Sequence, residues 1–208
     1  MCDDSLIVTF YFSEQYYNML SELVDNKITD KNTVHSYLDL YQDLLCVKKE
    51  TAKNILEIGI HGGGSIKLWH DYFQNAMIYG LDLDPIDRFM TDEIKNKERI
   101  YLFTSVDAYN ENYFNSNFLS KKIKFDFLLD DGPHTLESMK KFINLYSKVM
   151  TDDGILIVED VQDWNWIETL KNEVPDHLKE FVKVYDLREK KGRYDDIVFT
   201  IDKLNTSK

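Results

Sequence analysis

Two acidic pairs and one imidazole hold the most chemistry in this 208-residue sequence. Asp130 and Asp131 close the apolar run at 125–129, and Glu159 and Asp160 close the run at 155–158. Two such runs side by side as parallel strands bring the four carboxylates to one edge of a sheet, where folds of this kind bind ligands. Four unpaired acids so placed repel and raise one another's pKa values. A divalent cation removes that penalty, and oxygen ligation with retained water suits Mg2+. Capping of a helix that starts near Thr135 is the competing use of Asp131. His134 follows Asp131 by three residues. An imidazole titrates near neutrality, so His134 can take a proton from a hydroxyl, with Asp131 as the alternative base. A helix-start histidine bonded to a carboxylate is the structural alternative.

The segment Glu57-Ile58-Gly59-Ile60-His61-Gly62-Gly63-Gly64-Ser65 holds four of the chain's eight glycines. Glycine admits a ligand close to the backbone and permits positive φ at a turn. A dinucleotide fingerprint needs Gly-x-Gly-x-x-Gly, and His61 stands at its middle glycine. A Walker loop needs a Lys after its last glycine, and Ser65 follows Gly64 instead. Glu57, two residues before the first glycine, suits a cationic ligand and can hold the amino group of a methionine moiety, directly or through water. A glycine turn without a ligand is the alternative. Asp82 lies about 20 residues past the loop, placed to accept from both hydroxyls of a ribose, whether of NAD or of S-adenosylmethionine. Asp84 is the alternate and fits a helix N-cap better.

Elements must hold these residues in place. Tyr16, Met19, Leu20 and Leu23 fall at helical spacing, as do Val34, Tyr37, Leu38, Tyr41, Leu44 and Leu45, with Asp30 or Asn32 as a cap. Residues 1–50 therefore read as a helical extension and 51–208 as the main domain. Strands are expected at 55–60, 77–83, 100–103, 125–129 and 155–158, and helices at 65–73, 86–96, 110–120, 135–150 and 163–173. Strands apolar on both faces and separated by helices make an α/β fold with a parallel, doubly wound, Rossmann-like sheet. Strands at 182–187 and 197–201, with only a charged stretch and Gly192 between them, should close it as an antiparallel hairpin.

The formal net charge of -12 repels phosphate backbones, so nucleic acid is not expected as a partner. The triplet Lys121, Lys122 and Lys124 reads as a solvated loop. Cys2 and Cys46 lack metal-ligand spacing and read as free thiols in a reducing compartment. The apolar run at 6–12 is too short to span a membrane, and Asp3 and Asp4 precede it, unlike a signal peptide. A cytoplasmic protein is expected. His61, His70 and His177 have no evident partners and read as structural or exposed.

With these motifs and elements, the chain resembles the class I S-adenosylmethionine-dependent methyltransferases. More narrowly, it is similar to the metal-dependent sugar O-methyltransferases of macrolide antibiotics and related small phage-type and bacterial enzymes. The stretch from Glu57 to Phe73, Asp130-Asp131-Gly132-Pro133-His134, Val158-Glu159-Asp160-Val161 and His35-Ser36-Tyr37 carry the likeness. Pro133 stands where that family commonly has Ser. The resemblance implies the strand order 3-2-1-4-5-7-6. It implies S-adenosylmethionine held by Glu57, Gly59, Gly63, Ser65 and Asp82, with Ser105, Asp107 and Asp130 also at the cofactor and Tyr37 closing over its methionine end. It implies Mg2+ on Asp131 and Asp160, with Glu159 or Asp130 adding a ligand or hydrogen bond.

The implied reaction is O-methylation of a sugar or other small vicinal diol. A cation on two adjacent acceptor oxygens lowers the pKa of the reacting one, and His134 removes its proton during in-line attack on the sulfonium methyl. Trp164 and Trp166 either stack on the sugar or pack in the core. The family often forms oligomers, and the aromatic N-terminal helices offer an interface. N-methylation of an amino sugar, an NAD-dependent oxidoreductase and a non-catalytic Rossmann-like binding domain are the competing readings.

Overall fold

A computed structural model of the chain describes residues 19–85 and 90–204. Seven strands form one sheet: β1 (Asn54–Ile58), β2 (Met77–Leu81), β3 (Ile100–Phe103), β4 (Phe125–Asp130), β5 (Met150–Val158), β6 (Val182–Asp186) and β7 (Ile197–Asp202). Their order is β3-β2-β1-β4-β5-β7-β6. The first five pair in parallel, whereas β7 runs antiparallel to both β5 and β6. The order and the terminal hairpin are those the resemblance implies.

Alternation along the strands feeds two cores. Ile55, Phe127, Leu129, Ile155 and Ile157 share one face with Leu38, Tyr41 and Leu45 of α2 (Leu38–Leu45) and Trp69 and Tyr72 of α3 (Gly64–Tyr72). Leu56, Leu128, Leu156 and Phe199 share the other with Phe114 of α5 (Glu111–Phe114), Phe142 and Tyr146 of α6 (Leu136–Tyr146) and Leu170 of α7 (Trp166–Glu173). Residues of α2 thus pack into the same core as the sheet they precede. No helix among the described residues is long and apolar enough to cross a membrane.

The described residues of the N-terminal fifty are less helical than their periodicity suggests. Among those described there, only α1 (Leu20–Leu23) and α2 are α-helical, and a 3-10 turn covers Cys46–Lys48. Between them runs a strap, residues 24–37. The amides of Thr33, Val34 and His35 all donate to the Asp30 carbonyl. Asp, Asn and Thr favour such turns over helix. Neither Asp30 nor Asn32 caps α2, whose N-cap is Tyr37 with no side-chain bond. Tyr16, Cys2, the apolar run at 6–12 and residues 86–89 of the helix expected at 86–96 lie outside the described residues, and α4 covers Asp92–Lys95. Tyr37 and Tyr41 are buried in the chain's own core, so these two aromatics are not available to a subunit interface. The charged stretch in the hairpin forms a helical turn, α8 (Arg188–Lys191), ended by Gly192.

Candidate active site

Sheet parity decides which acids meet. Glu57 lies two residues after Ile55, Asp131 two after Leu129 and Glu159 two after Ile157, so all three point to the face covered by α2 and the strap. There they meet Lys31, which is only 2% exposed. Its Nζ lies 2.7 Å from Asp131 Oδ2, 2.7 Å from Glu159 Oε2, 2.9 Å from Glu159 Oε1 and 3.8 Å from Glu57 Oε1. The Tyr41 hydroxyl donates to Glu159, and Trp69 Nε1 donates to Glu57 at 2.9 Å. Burial tends to lower the Lys31 pKa, but Asp131, Glu159 and Glu57 outweigh it and hold the ammonium well above the ordinary lysine value. Burial raises Glu159 well above the ordinary carboxylate range and pushes Glu57 up to about 7, against the opposing pull of Lys31. The repulsion expected among the acids is thus relieved by a lysine from the strap, a partner that the sequence reading missed. Three acids of one parity on one face were the signal that a cation had to reach them.

Asp131 turns its other carboxylate oxygen, together with His134 and Asp160, toward a cavity of about 1250 Å3 that also reaches Gly59, Ser65, Asp82 and Asp107. His134 Nε2 lies 3.7 Å from Asp131 Oδ1, and His134 Nδ1 lies 3.6 Å from Asp160 Oδ2. Both distances exceed a hydrogen bond. One ligand atom from each of the three residues falls within 4.8 Å of the others. Mg2+-type ions take oxygen ligands, so the Asp131 and Asp160 carboxylates are the donors of this set that suit a small divalent cation, with His134 beside them. Glu159 does not line the cavity and its oxygens are taken by Lys31 and Tyr41, so it is not placed to ligate. His134 and Asp160 hold φ of 51° and 52°. Left-handed backbone is uncommon outside glycine and clusters at functional sites.

The glycine turn joins β1 to α3. Gly59 has φ 85°, and a Cβ there would fall 1.9 Å from the Asp131 carbonyl oxygen. A Cβ on Gly64 would fall 2.0 Å from the Ile28 carbonyl oxygen in the strap. These two glycines thus allow the chain to approach itself, bringing β4 and the strap against the turn. Gly59 and Ser65 line the cavity, whereas Gly63 serves as the N-cap of α3. Asp82 lines it too, but its Oδ2 accepts from the amides of Ile60 (3.0 Å) and His61 (2.9 Å) and its Oδ1 from Asp84 (2.8 Å). A carboxylate offers about four acceptor sites. One remains, enough for one ribose hydroxyl and not for both.

Other expected site residues divide by location. Asp107 lines the cavity, with Oδ1 accepting from the Tyr109 amide at 2.9 Å; Ser105 does not. Glu57 lies behind the wall, fully buried, with no open path to a ligand amine. Asp130 points to the opposite face of the sheet, where it accepts from the Tyr109 hydroxyl, and burial pushes it up to about 7. Tyr37 is buried behind Asp160, to which its hydroxyl donates, and so does not close over the cavity. His35 Nδ1 lies 2.7 Å from Asp196 Oδ1 in the same buried layer. His61 lines the cavity, while His70 is held between Asp71 and Arg99. Trp164 is 46% exposed with the Arg188 guanidinium over its ring, and Trp166 packs partly on the core.

No family model matches the chain. Among curated proteins it is similar to the 8-demethyl-8-alpha-L-rhamnosyl tetracenomycin-C 2'-O-methyltransferase of Streptomyces olivaceus, 26% identical over 148 residues, or 66% of this chain and 36% of that protein. It is also similar to the mycinamicin VI 2''-O-methyltransferase of Micromonospora griseorubida, 27% identical over 156 residues, 71% of this chain and 37% of that protein. The chain therefore spans little more than a third of the length of these relatives. Among solved structures, the MycE methyltransferase from the mycinamycin biosynthetic pathway, in complex with Mg, SAH and mycinamycin VI, superposes with a TM-score of 0.69. That match covers 92% of this chain and 57% of the other at 17% identity, a likeness of fold.

Proposed function

We propose that this chain, which has the class I methyltransferase fold and is related to sugar O-methyltransferases, transfers a methyl group from S-adenosylmethionine to a hydroxyl of a glycoside. One observation carries this reading: Asp131, His134 and Asp160 converge on the cavity that opens beside Gly59 and Asp82. Gly59, Ser65, Asp82 and Asp107 form the cofactor side of that cavity, and the three rim residues form the acceptor side.

Asp131 and Asp160 would hold a divalent cation, as Mg is present in the MycE complex. Bound there, it would supply Lewis acidity toward two adjacent acceptor oxygens. His134 takes the hydroxyl proton while the oxygen's lone pair forms the new C–O bond and the C–S electron pair returns to sulfur. Such a base contributes about 10²–10⁴ in rate. The cavity walls supply alignment of donor and acceptor. Calorimetric titration with S-adenosylhomocysteine, with and without Mg2+, tests the cofactor side. Turnover of a rhamnosylated polyketide or macrolide, with and without EDTA, tests the acceptor side. No binding of S-adenosylhomocysteine at millimolar concentration would remove the reading.

A further inference from the structure

Lys31 comes from outside the sheet, yet its ammonium ends inside the candidate site. An ammonium has three protons, and the carboxylates of Asp131 and Glu159 take them at 2.7–2.9 Å. Both Glu159 oxygens are thereby engaged, and the Tyr41 hydroxyl also donates to Oε1. Asp131 is committed on one side only. Its Oδ2 belongs to Lys31, while its Oδ1 faces His134 across 3.7 Å. The Asp131 amide is fixed as well, donating to the Ile58 carbonyl at 2.9 Å.

The strap that delivers Lys31 is pinned at several points. The Ile28 carbonyl lies against Gly64, where no side chain could intervene. Lys191 Nζ reaches the Thr33 carbonyl at 3.3 Å and the His35 carbonyl at 2.7 Å. His35 and Ser36 both bond to Asp196, at 2.7 Å and 3.1 Å. Such anchoring exceeds what a lysine needs merely to neutralise buried charge.

We infer that Lys31 is a positioning residue of the candidate methyl-transfer site, locking Asp131 through Oδ2 so that Oδ1 alone is presented with His134 and Asp160 to the cavity. The inference rests on the reading of those three residues as the acceptor side. Without Lys31, the Asp131 carboxylate loses its fixed donor and faces the uncompensated charge of Glu159 alongside. Both effects turn it away from His134. Loss of an outer partner of a ligating group typically costs about 10–100-fold in metal affinity or activity. Arginine is a poor replacement, because its planar fork is larger than the buried space of an ammonium. A free alkylammonium can fill that space.

The test uses the full chain and Lys31→Ala, with Mn2+ as an electron-spin-resonance probe of the cation site in the presence of S-adenosylhomocysteine. The variant should lose about 10–100-fold in Mn2+ affinity and in turnover. Tens of millimolar ethylammonium should restore several-fold of both, whereas tetramethylammonium, which carries the charge but no N–H, should restore neither. Native-like Mn2+ affinity in the variant overturns the inference. So does tighter Mn2+ binding, which would make Lys31 a competitor for the cation. A loss equal in the two ammonium salts, in a variant that still melts cooperatively, also overturns it. Should Lys31→Ala not fold, the charge-balanced pair Lys31→Met with Glu159→Gln is measured instead; Asp131 then loses its donor but no longer faces the Glu159 charge, so Mn2+ affinity should fall toward the lower end of that range, about 10-fold, and native-like affinity again overturns the inference. The native chain separates the two levels of the claim. If it binds neither S-adenosylhomocysteine nor Mn2+, the reading of the site falls and this inference with it. If it binds both and the variant matches it, only the role of Lys31 falls.

Discussion

Two imidazoles share one carboxylate, and only one of them is free to react. On the inner side of Asp160, His35 is buried, with Nδ1 3.3 Å from Asp160 Oδ1 and 2.7 Å from Asp196 Oδ1. Its ring stacks on Tyr37 at 4.9 Å. On the outer side, His134 is 31% exposed and stands 3.6 Å from Asp160 and 3.7 Å from Asp131, with no bond closed to either acid. Both clusters contain the residue types of a metal site. The closed one has spent its capacity on itself, since a 2.7 Å contact between nitrogen and oxygen leaves no room for an ion. The open one keeps slack of the size that a cation or a hydroxyl fills. Residue type and clustering therefore do not separate the two clusters, whereas unspent hydrogen-bonding capacity beside a cavity does, and it is the ground on which His134 is proposed as the base.

The sharpest way to break this comparison is to remove each ring. His134→Ala should lower turnover about 10²–10⁴-fold while leaving the melting temperature nearly unchanged. His35→Ala should do the reverse. It leaves Asp196 buried without its imidazole, and loss of one partner from a buried pair costs about 3 kcal/mol. Denaturant titration should show that loss, with the turnover of the folded fraction falling much less than in His134→Ala. If His35→Ala abolished turnover at unchanged stability, the two clusters would be one catalytic unit and the division would fail.

The outer cluster was legible in the sequence and the inner one was not. Asp131, His134 and Asp160 follow largely apolar runs, interrupted only by Asp126, so their place at the carboxyl edge follows from the parallel sheet alone. The strand order and the antiparallel hairpin were legible for the same reason: alternating elements of adequate length admit few topologies. The inner layer depends on the strap. Val34 and Tyr37 read as part of a helical stripe with Leu38 and Tyr41 because their spacing matches one, yet the chain turns repeatedly between Asp25 and Tyr37 and α2 begins only at Leu38. Nothing in its sequence neighbourhood singles Lys31 out. Long-range contacts such as Lys31 to Glu159, 128 positions apart, leave no local pattern. Glu57 was assigned to the ligand as an acid just before the glycine turn, and Asp130 by the resemblance, but strand parity turns Asp130 away and Lys31 of the strap lies against Glu57.

Those two displaced acids give a pH test of the same division. Burial pushes both Glu57 and Asp130 up to about 7, whereas in the unfolded chain each ionises near 4. Between those values the folded chain holds more protons, so stability from these groups is present at low pH and is lost as pH rises through about 7. Asp130→Asn keeps an acceptor for the Tyr109 hydroxyl and removes the buried charge. Relative to the native chain it should gain about 2 kcal/mol at pH 8 and little at pH 5, allowing for relaxation around the charge. Thermal melts at the two pH values read the difference. An equal effect at both would mean that Asp130 stays ionised throughout, and that its surroundings beside Tyr109 tolerate charge better than its burial implies.

The smallest effect should come from loosening the strap at its far end. Lys191 is exposed and donates to the carbonyls of Thr33 and His35. In Lys191→Met those carbonyls turn to water, so the stability cost should be about 1 kcal/mol. Hydrogen exchange should quicken at the amides of 33–35, next to the closed cluster, before it changes around His134. Turnover should fall no more than about 2-fold, because Lys31 and Asp196 still fix the strap from inside. A fall of 10-fold or more would show that motion at His35 reaches His134 through their common partner Asp160. The closed cluster would then set the geometry of the open one, and the contrast between them would be one of degree.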